Sequence, residues 1–379
     1  MTETTNDIEG LNAVLTTANR ILIAGGGTGG HIFPAIAIAN AIKKIAPETT
    51  FLFVGANGKM EMEKVPQAGY KITGIDIAGF NRSSLIKNVG LPFKLIKSFF
   101  QVAGIIRSFK PTAVIGVGGY SSFPVLRFAQ GKGLPTFIHE SNSFAGKSNI
   151  MLGKKATKIF TATDGMESFF PAAKILVTGN PIRQNIVENE ISREKALDFF
   201  GLSEHKKTVL SIGGSLGAKS INEAINHDLD LFFTNGLQLI WQTGKLYKEA
   251  AEKRIKGKEG IYVNDFITKM EMAYAAADIV ISRSGAMAIA EICMVKKPAV
   301  FVPYPFAAED HQTANAKNLV NKNAAIMISD ANTFKELVPS VIALSKDSPL
   351  QQQLKNNIAV LGVRDADKVI AETILRIIH

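Results

Sequence analysis

Three glycine-rich stretches each follow a short apolar run. Gly25-Gly26-Gly27-Thr28-Gly29-Gly30-His31 comes after Ile21-Leu22-Ile23-Ala24, Gly116-Val117-Gly118-Gly119-Tyr120-Ser121-Ser122 after Thr112-Ala113-Val114-Ile115, and Gly213-Gly214-Ser215-Leu216-Gly217-Ala218 after Thr208-Val209-Leu210-Ser211-Ile212. A strand that runs through glycines into a helix presents bare backbone N–H groups and a positive helix end, which suits a phosphate. Gly25, Gly27 and Gly30 even satisfy the G-x-G-x-x-G dinucleotide pattern. The next strand, however, ends Phe53-Val54-Gly55-Ala56-Asn57, with no Asp or Glu for a ribose hydroxyl. A phosphorylated ligand other than a nicotinamide or flavin dinucleotide is expected; the alternative is that these glycines only let helix and strand pack closely.

Polar clusters follow other strand candidates. His139-Glu140-Ser141-Asn142 succeeds Thr136-Phe137-Ile138, and Arg283-Ser284-Gly285-Ala286-Met287-Ala288 leads to Glu291. His139 and Glu140 are either ligand-binding or an ion pair or helix cap. Glu291, one turn into a helix, either accepts two ribose hydroxyls or sits on a solvated face. Two D-x-D matches, Asp228-Leu229-Asp230 and Asp365-Ala366-Asp367, lie in or beside helical stretches, and the six histidines and one cysteine form no ligand cluster. Chemistry without a metal or other cofactor is the expectation.

The elements that must position these groups alternate. Short apolar runs such as Ile21–Ala24, Phe51–Val54, Ala113–Ile115, Thr136–Ile138 and Lys158–Phe160 alternate with helical stretches, the first from about Phe33 to Ile45, as in parallel βαβ units. The pattern restarts at Thr208, which implies an α/β protein of two doubly wound domains whose ligands sit at the carboxyl ends of the strands, facing each other across a cleft. A chain of 379 residues has room for two such cores. Gly179-Asn180-Pro181-Ile182-Arg183 has the turn chemistry of a hinge. The expected divisions are an extension over 1–19, an N-terminal domain over 20–180, a C-terminal domain over 181–357, and a last helical segment, 358–379, able to pack back on the first domain.

A formal charge of +10 favours anionic partners. Nucleic acid is not expected, because the basic residues are scattered and the aromatics do not interleave with them. Residues 1–20 lack the features of a secretory signal, and no window is apolar enough to span a bilayer, so a soluble or peripheral protein is expected. Asn81–Lys87 followed by Val89, Phe93, Ile96 and Phe100 at helical spacing, beside Lys94 and Lys97, suits either an interfacial helix or a core stripe.

The order and spacing of seven motifs resemble the bacterial UDP-N-acetylglucosamine:N-acetylmuramyl-(pentapeptide) pyrophosphoryl-undecaprenol N-acetylglucosamine transferases, of GT-B fold. They are Gly26–His31, Gly118–Ser122, His139–Asn142, Asn180–Arg183, Gly213–Ala218, Arg283–Ala286, and Gln312 with Asn315. The sequence departs from the family's pattern at Ser141, Leu216 and His311, where glutamine is frequent, and at Ala288, where threonine is.

The resemblance implies that the C-terminal domain binds the donor UDP-N-acetylglucosamine, with Phe266 and Ile267 near the uracil, Glu291 on the ribose, Ser215 and Arg183 near the phosphates, Gln312 on the sugar, and Met287 and Ala288 beside them. Thr28, Gly29, Gly30 and Asn142 would reach the donor from the other domain. Gly27, His31, Gly118, Gly119, Tyr120, His139 and Asn149 would receive an undecaprenyl-linked acceptor. Its C4 hydroxyl would attack the anomeric carbon with inversion, His31 being the first choice of base and Glu140 the second. Val89, Phe93, Ile96, Lys97 and Phe100 would touch the inner leaflet from the cytoplasmic face, making the protein peripheral. A UDP-N-acetylglucosamine 2-epimerase and a non-catalytic UDP-sugar-binding protein are the rival readings.

Overall fold

Apolar runs too short for helices and buried on both faces form parallel strands. In a computed structural model, which describes residues 19–79, 90–188, 190–214 and 216–379, they build two sheets in two units. Unit 1 comprises residues 1–181 with Asp365–His379; unit 2 is Ile182–Arg364.

In unit 1 the strands are β1 (Arg20–Ala24), β2 (Thr50–Ala56), β3 (Ile72–Ile75), β4 (Ala113–Gly116), β5 (Thr136–Glu140), β6 (Lys158–Thr161) and β7 (Ile175–Val177). They lie in the order β3-β2-β1-β4-β5-β6-β7, all parallel. The order reverses between β1 and β4, so the loops leaving their carboxyl ends emerge side by side, where doubly wound sheets bind ligands. Helix α1 (Gly29–Ile45) buries Ile32, Ala35, Ile38, Ala39 and Ile42 against one face, and the C-terminal helix Ala366–Ile378 adds Ile370, Ala371, Ile374 and Leu375 to the same core. After β2 comes a short helix, α2 (Glu61–Gln67). The other face is covered by α3 (Leu91–Phe109), α4 (Ser122–Gly131) and α5 (Lys147–Gly153), through Val102, Ile106, Val125, Leu126, Ala129 and Leu152.

The first helix starts at Gly29, four residues before the expected Phe33. Gly29 and Gly30 read as part of the loop, yet they take up the first turn, and Pro34 inside the helix costs only the N–H it lacks toward the Gly30 carbonyl. The segment 358–379 holds the end of one helix, at Ala359, and the last helix, Ala366–Ile378.

Unit 2 repeats the plan with β8 (Lys207–Ile212), β9 (Leu237–Gln242), β10 (Ile261–Asn264), β11 (Ile279–Ser282), β12 (Ala299–Phe301) and β13 (Ile326–Met327), in the order β10-β9-β8-β11-β12-β13. Its switch point lies between β8 and β11, so the 213–218 and 283–286 loops leave adjacent strands. Two apolar clusters, one on each side of the sheet, include Leu210, Ile240 and Val280 in one and Val209, Leu239, Trp241 and Ile281 in the other.

Candidate active site

At the switch point of unit 1 the two glycine loops interlock. Gly26 donates its N–H to the Gly118 carbonyl at 3.3 Å, and a Cβ on Gly119, whose φ is +85°, would lie 2.4 Å from the Gly26 carbonyl oxygen. The His31 ring packs on Gly118, where a Cβ would come within 2.8 Å of Nε2. His31 Nδ1 donates to the Gly26 carbonyl at 3.0 Å. A carbonyl only accepts, so the neutral ring keeps its proton on Nδ1 and its lone pair on Nε2.

The first loop does not offer all its amides to a ligand. Gly25 N–H donates to Val54, Gly26 N–H to Gly118, and Gly27 N–H to the buried carboxylate of Glu61 at 2.8 Å. Further along the chain, Thr28 is the N-cap and Gly29 and Gly30 form the first turn of α1, where amides have no intrahelical acceptor. Gly27 was expected to contact the acceptor; its amide is instead bonded within the protein. Tyr120 is exposed, its ring lying on Gly79.

Three other expected site residues are bonded within the protein. His139 is fully buried: Nε2–H reaches toward the Gly179 carbonyl at 3.5 Å, and Nδ1 accepts from Ser141 Oγ at 3.3 Å. Burial lowers its pKa from 6.5 to about 4, against the Gly179 hydrogen bond, and the nearby His31 lowers it further. The ring is neutral and enclosed, with both nitrogens turned to partners within the protein. Glu140 accepts from the Asn142 N–H and side chain (3.1 and 3.2 Å), from Gly146 N–H (3.2 Å) and from Asn149 Nδ2 (2.8 Å). Its oxygens thus tie the loop after β5 to the start of α5. The buried Asn149 amide is part of the same brace.

The His139 shift makes a stability prediction. In the unfolded chain the ring takes a proton near pH 6.5, in the fold only near 4, so the unfolded state gains stability as pH falls between those values. The loss amounts to about 3 kcal/mol by pH 4. Urea titrations at pH 7 and pH 4.5 should show a larger drop for the wild type than for His139→Gln, and equal drops would contradict it.

In unit 2 the guanidinium of Arg183 grips Glu291 with two hydrogen bonds, Nε to Oε1 and Nη2 to Oε2, both 2.9 Å, and Tyr274 Oη donates to Oε2 at 3.1 Å. Glu291 is buried, not on a solvated face; burial raises its pKa and Arg183 opposes that rise. With three bonds accepted, a carboxylate of about four lone-pair sites has room for one ribose hydroxyl rather than two. Arg183 is oriented by Glu291 through two of its five N–H donors.

Gln242, which the sequence reading missed, accepts from Ile267 N–H at 3.0 Å and donates to the Gly214 carbonyl at 3.0 Å, linking the ends of β8 and β9 to the 265–268 loop. The Ile267 side chain lies in the core, whereas Phe266 is exposed. Met287 and Ala288 occupy the first turn of the helix Ala286–Val295, capped by Gly285. Ser284 Oγ donates to the Gln312 carbonyl at 2.8 Å and Asn315 Nδ2 to the Ser284 carbonyl at 3.2 Å, fixing that helix start to the helix His311–Val320. Gln312 Oε1 accepts from Tyr304 N–H at 2.9 Å. Ser215 and Val89 lie outside the described residues, as do Asn81–Lys87.

On α3, Phe93, Ile96 and Phe100 are 75%, 57% and 75% exposed, so this apolar stripe is not core. Lys97 pairs with Asp76 at 2.7 Å. No helix among the described residues is long and apolar enough to cross a membrane.

Residues 21–161 match the glycosyltransferase family 28 N-terminal domain, and 208–370 match the family 28 C-terminal domain. A Parabacteroides distasonis protein named UDP-N-acetylglucosamine–N-acetylmuramyl-(pentapeptide) pyrophosphoryl-undecaprenol N-acetylglucosamine transferase is 51% identical over 95% of this chain and 98% of its own. A Flavobacterium psychrophilum protein of the same name is 46% identical, again over 95% and 98%. The crystal structure of Acinetobacter baumannii MurG superposes with a TM-score of 0.77 at 28% identity, covering 94% of this chain and 99% of that one. A UDP-N-acetylglucosamine 2-epimerase structure, at 15% identity and TM-score 0.64, shares the fold alone. With two parallel Rossmann-like sheets of seven and six strands, both family 28 domains in order and such identity along nearly its whole length, the chain has the GT-B fold and belongs to the family of UDP-N-acetylglucosamine–N-acetylmuramyl-(pentapeptide) pyrophosphoryl-undecaprenol N-acetylglucosamine transferases.

Proposed function

We propose that this chain transfers N-acetylglucosamine from UDP-N-acetylglucosamine to the C4 hydroxyl of the undecaprenyl-pyrophosphoryl-N-acetylmuramyl-pentapeptide, with inversion, as a step of peptidoglycan synthesis. The observation that carries this reading for the chemistry is His31. Its Nδ1 is committed to a carbonyl, so Nε2 can accept the hydroxyl proton beside the helix end formed by Thr28, Gly29 and Gly30. As the acceptor oxygen bonds to the anomeric carbon, the bond to UDP breaks. The departing diphosphate meets the amides at the start of the helix Ala286–Val295 and the positive end of its dipole. Gln312, whose oxygen is already bonded, offers its amide nitrogen to the sugar.

The donor assignment predicts that Glu291→Ala weakens UDP binding roughly 10- to 100-fold, the scale of a hydrogen bond to a charged group together with release of Arg183. Calorimetry with UDP reads it. Equal weakening of UDP and of a short-chain lipid acceptor would remove Glu291 from the donor site. Activity is tested by UDP release with and without the acceptor. A transferase releases UDP only when the acceptor is present, whereas a 2-epimerase converts the UDP-sugar alone.

The exposed stripe of α3, flanked by Lys94 and Lys97, supports docking on the inner leaflet from the cytoplasmic face. Phe93→Asp with Phe100→Asp should lower affinity for phosphatidylglycerol vesicles at least about 10-fold, since each phenylalanine buried in the headgroup boundary contributes about 1.5–3 kcal/mol. Co-sedimentation that stays at the wild-type level would contradict this.

A further inference from the structure

The peptide group joining Gly26 to Gly27 is held on both edges. Its carbonyl accepts from His31 Nδ1 at 3.0 Å, and its N–H donates to Glu61 Oε2 at 2.8 Å. A trans peptide sets N–H and C=O on opposite sides of one plane, so imidazole, peptide and carboxylate form one hydrogen-bonded chain. The other Glu61 oxygen accepts from Ala56 N–H at 2.9 Å, at the end of β2. Glu61 is 1% exposed and packs so closely on Gly26 and Gly55 that a Cβ at either would come within 2.2 or 2.4 Å of its side chain. Among the described residues it forms no ion pair with Lys, Arg or His. A carboxylate is costly to enclose without a cation, so two backbone N–H donors hold its charge here.

We propose that Glu61 is a positioning residue for the transfer, acting on His31 through the Gly26–Gly27 peptide. The inference rests on the reading of His31 as the base. A carboxylate on the N–H edge polarises the peptide and makes its carbonyl oxygen a stronger acceptor. That carbonyl fixes the Nδ1–H tautomer, aims Nε2, and stabilises the imidazolium formed when Nε2 takes the hydroxyl proton. In Ser-His-Asp sites a carboxylate does this by direct contact; here one peptide group intervenes. The spacing also accounts for glycine at 26, because any Cβ there would displace the carboxylate.

Among the described residues, the ionisable groups that face His31 include Glu61, from α2 through the peptide, and His139, at the end of β5. The second loop contributes glycine rather than charge to the ring. A purely architectural Glu61, tying the first loop to β2, would lower activity without altering the protonation of His31.

The test is the pH dependence of kcat with a short-chain lipid acceptor for wild type, Glu61→Gln, Glu61→Asp, His31→Asn and the His31→Asn/Glu61→Gln double variant, with UDP affinity and melting temperature as checks of folding. Glu61→Gln should lower kcat roughly 10- to 100-fold, the scale on which outer partners of a functional imidazole act, with the ascending limb moved to lower pH because the imidazolium has lost a negative partner. Glu61→Asp, which keeps the charge, should lower kcat while leaving the limb near its wild-type position. The double variant should be within about 2-fold of His31→Asn, since both act on one proton transfer. Losses that multiply in the double variant, or a limb that stays put in Glu61→Gln, would overturn the relay. Should Glu61→Gln fail to fold, a limb in Glu61→Asp displaced as far as loss of the charge would displace it overturns the relay as well. Full kcat in His31→Asn is a separate result: it removes the base assignment and the relay with it.

Discussion

His31→Asn should lower kcat by roughly 10²- to 10⁴-fold, the contribution typical of a positioned general base, and leave UDP affinity unchanged. Contacts within unit 1 that fix the ring include the Nδ1 hydrogen bond to Gly26 and the face of Gly118. Asparagine can still donate toward the Gly26 carbonyl, so the loop keeps its anchor while the lone pair of Nε2 is lost. The competing role for a histidine at a helix start is to bind acceptor phosphate. That role predicts a higher KM for the lipid with kcat little changed. Initial rates over a range of lipid concentrations separate the two.

Gly119→Ala should cost about 10²-fold in activity, again with UDP affinity preserved. At φ +85° an L-residue is strained by about 1–2 kcal/mol, and the added Cβ would lie 2.4 Å from the backbone oxygen of Gly26. The obstacle is main chain, which cannot swing aside like the end of a long side chain, so the two loops must separate. Because the Gly26 carbonyl also anchors His31, the displacement reaches the base. Gly104→Ala, in the interior of α3 with open space around the new methyl, serves as the comparison and should retain activity. Wild-type rates in Gly119→Ala would mean that the packing of the two loops does not set the geometry of the base.

The elements of the fold were legible because their signals are local. Ile21–Ala24 running into glycine, and Thr208–Ile212 doing the same, each contain strand, turn and helix start within about a dozen residues. Even there the start of α1 was misplaced, since glycine weakens a helical pattern without forbidding a first turn. The site was less legible because its chemistry depends on partners far apart in sequence. Glu61 lies 34 residues from Gly27, and nothing in Met60-Glu61-Met62-Glu63 distinguishes a buried loop brace from a solvated carboxylate. Arg183 and Glu291 are 108 residues apart, and each was assigned to a ligand before their pairing was visible. His139 and Glu140 illustrate the same limit. A polar pair at a strand end marks a functional region, but whether a side chain faces ligand or holds the loop depends on the helix it meets, here α5. Phe93, Ile96 and Phe100 had a helical period that fits a core stripe as well as a membrane surface, and their exposure removes the core reading.

The most direct measurement is mass spectrometry of the lipid after incubation of the protein with UDP-N-acetylglucosamine and a short-chain undecaprenyl-pyrophosphoryl-N-acetylmuramyl-pentapeptide analogue in EDTA. The acceptor should gain the mass of one N-acetylhexosamine, with UDP released in equal amount. Consumption of the UDP-sugar with no change in the mass of the lipid, or gain of mass only when a divalent metal is restored, would contradict the account.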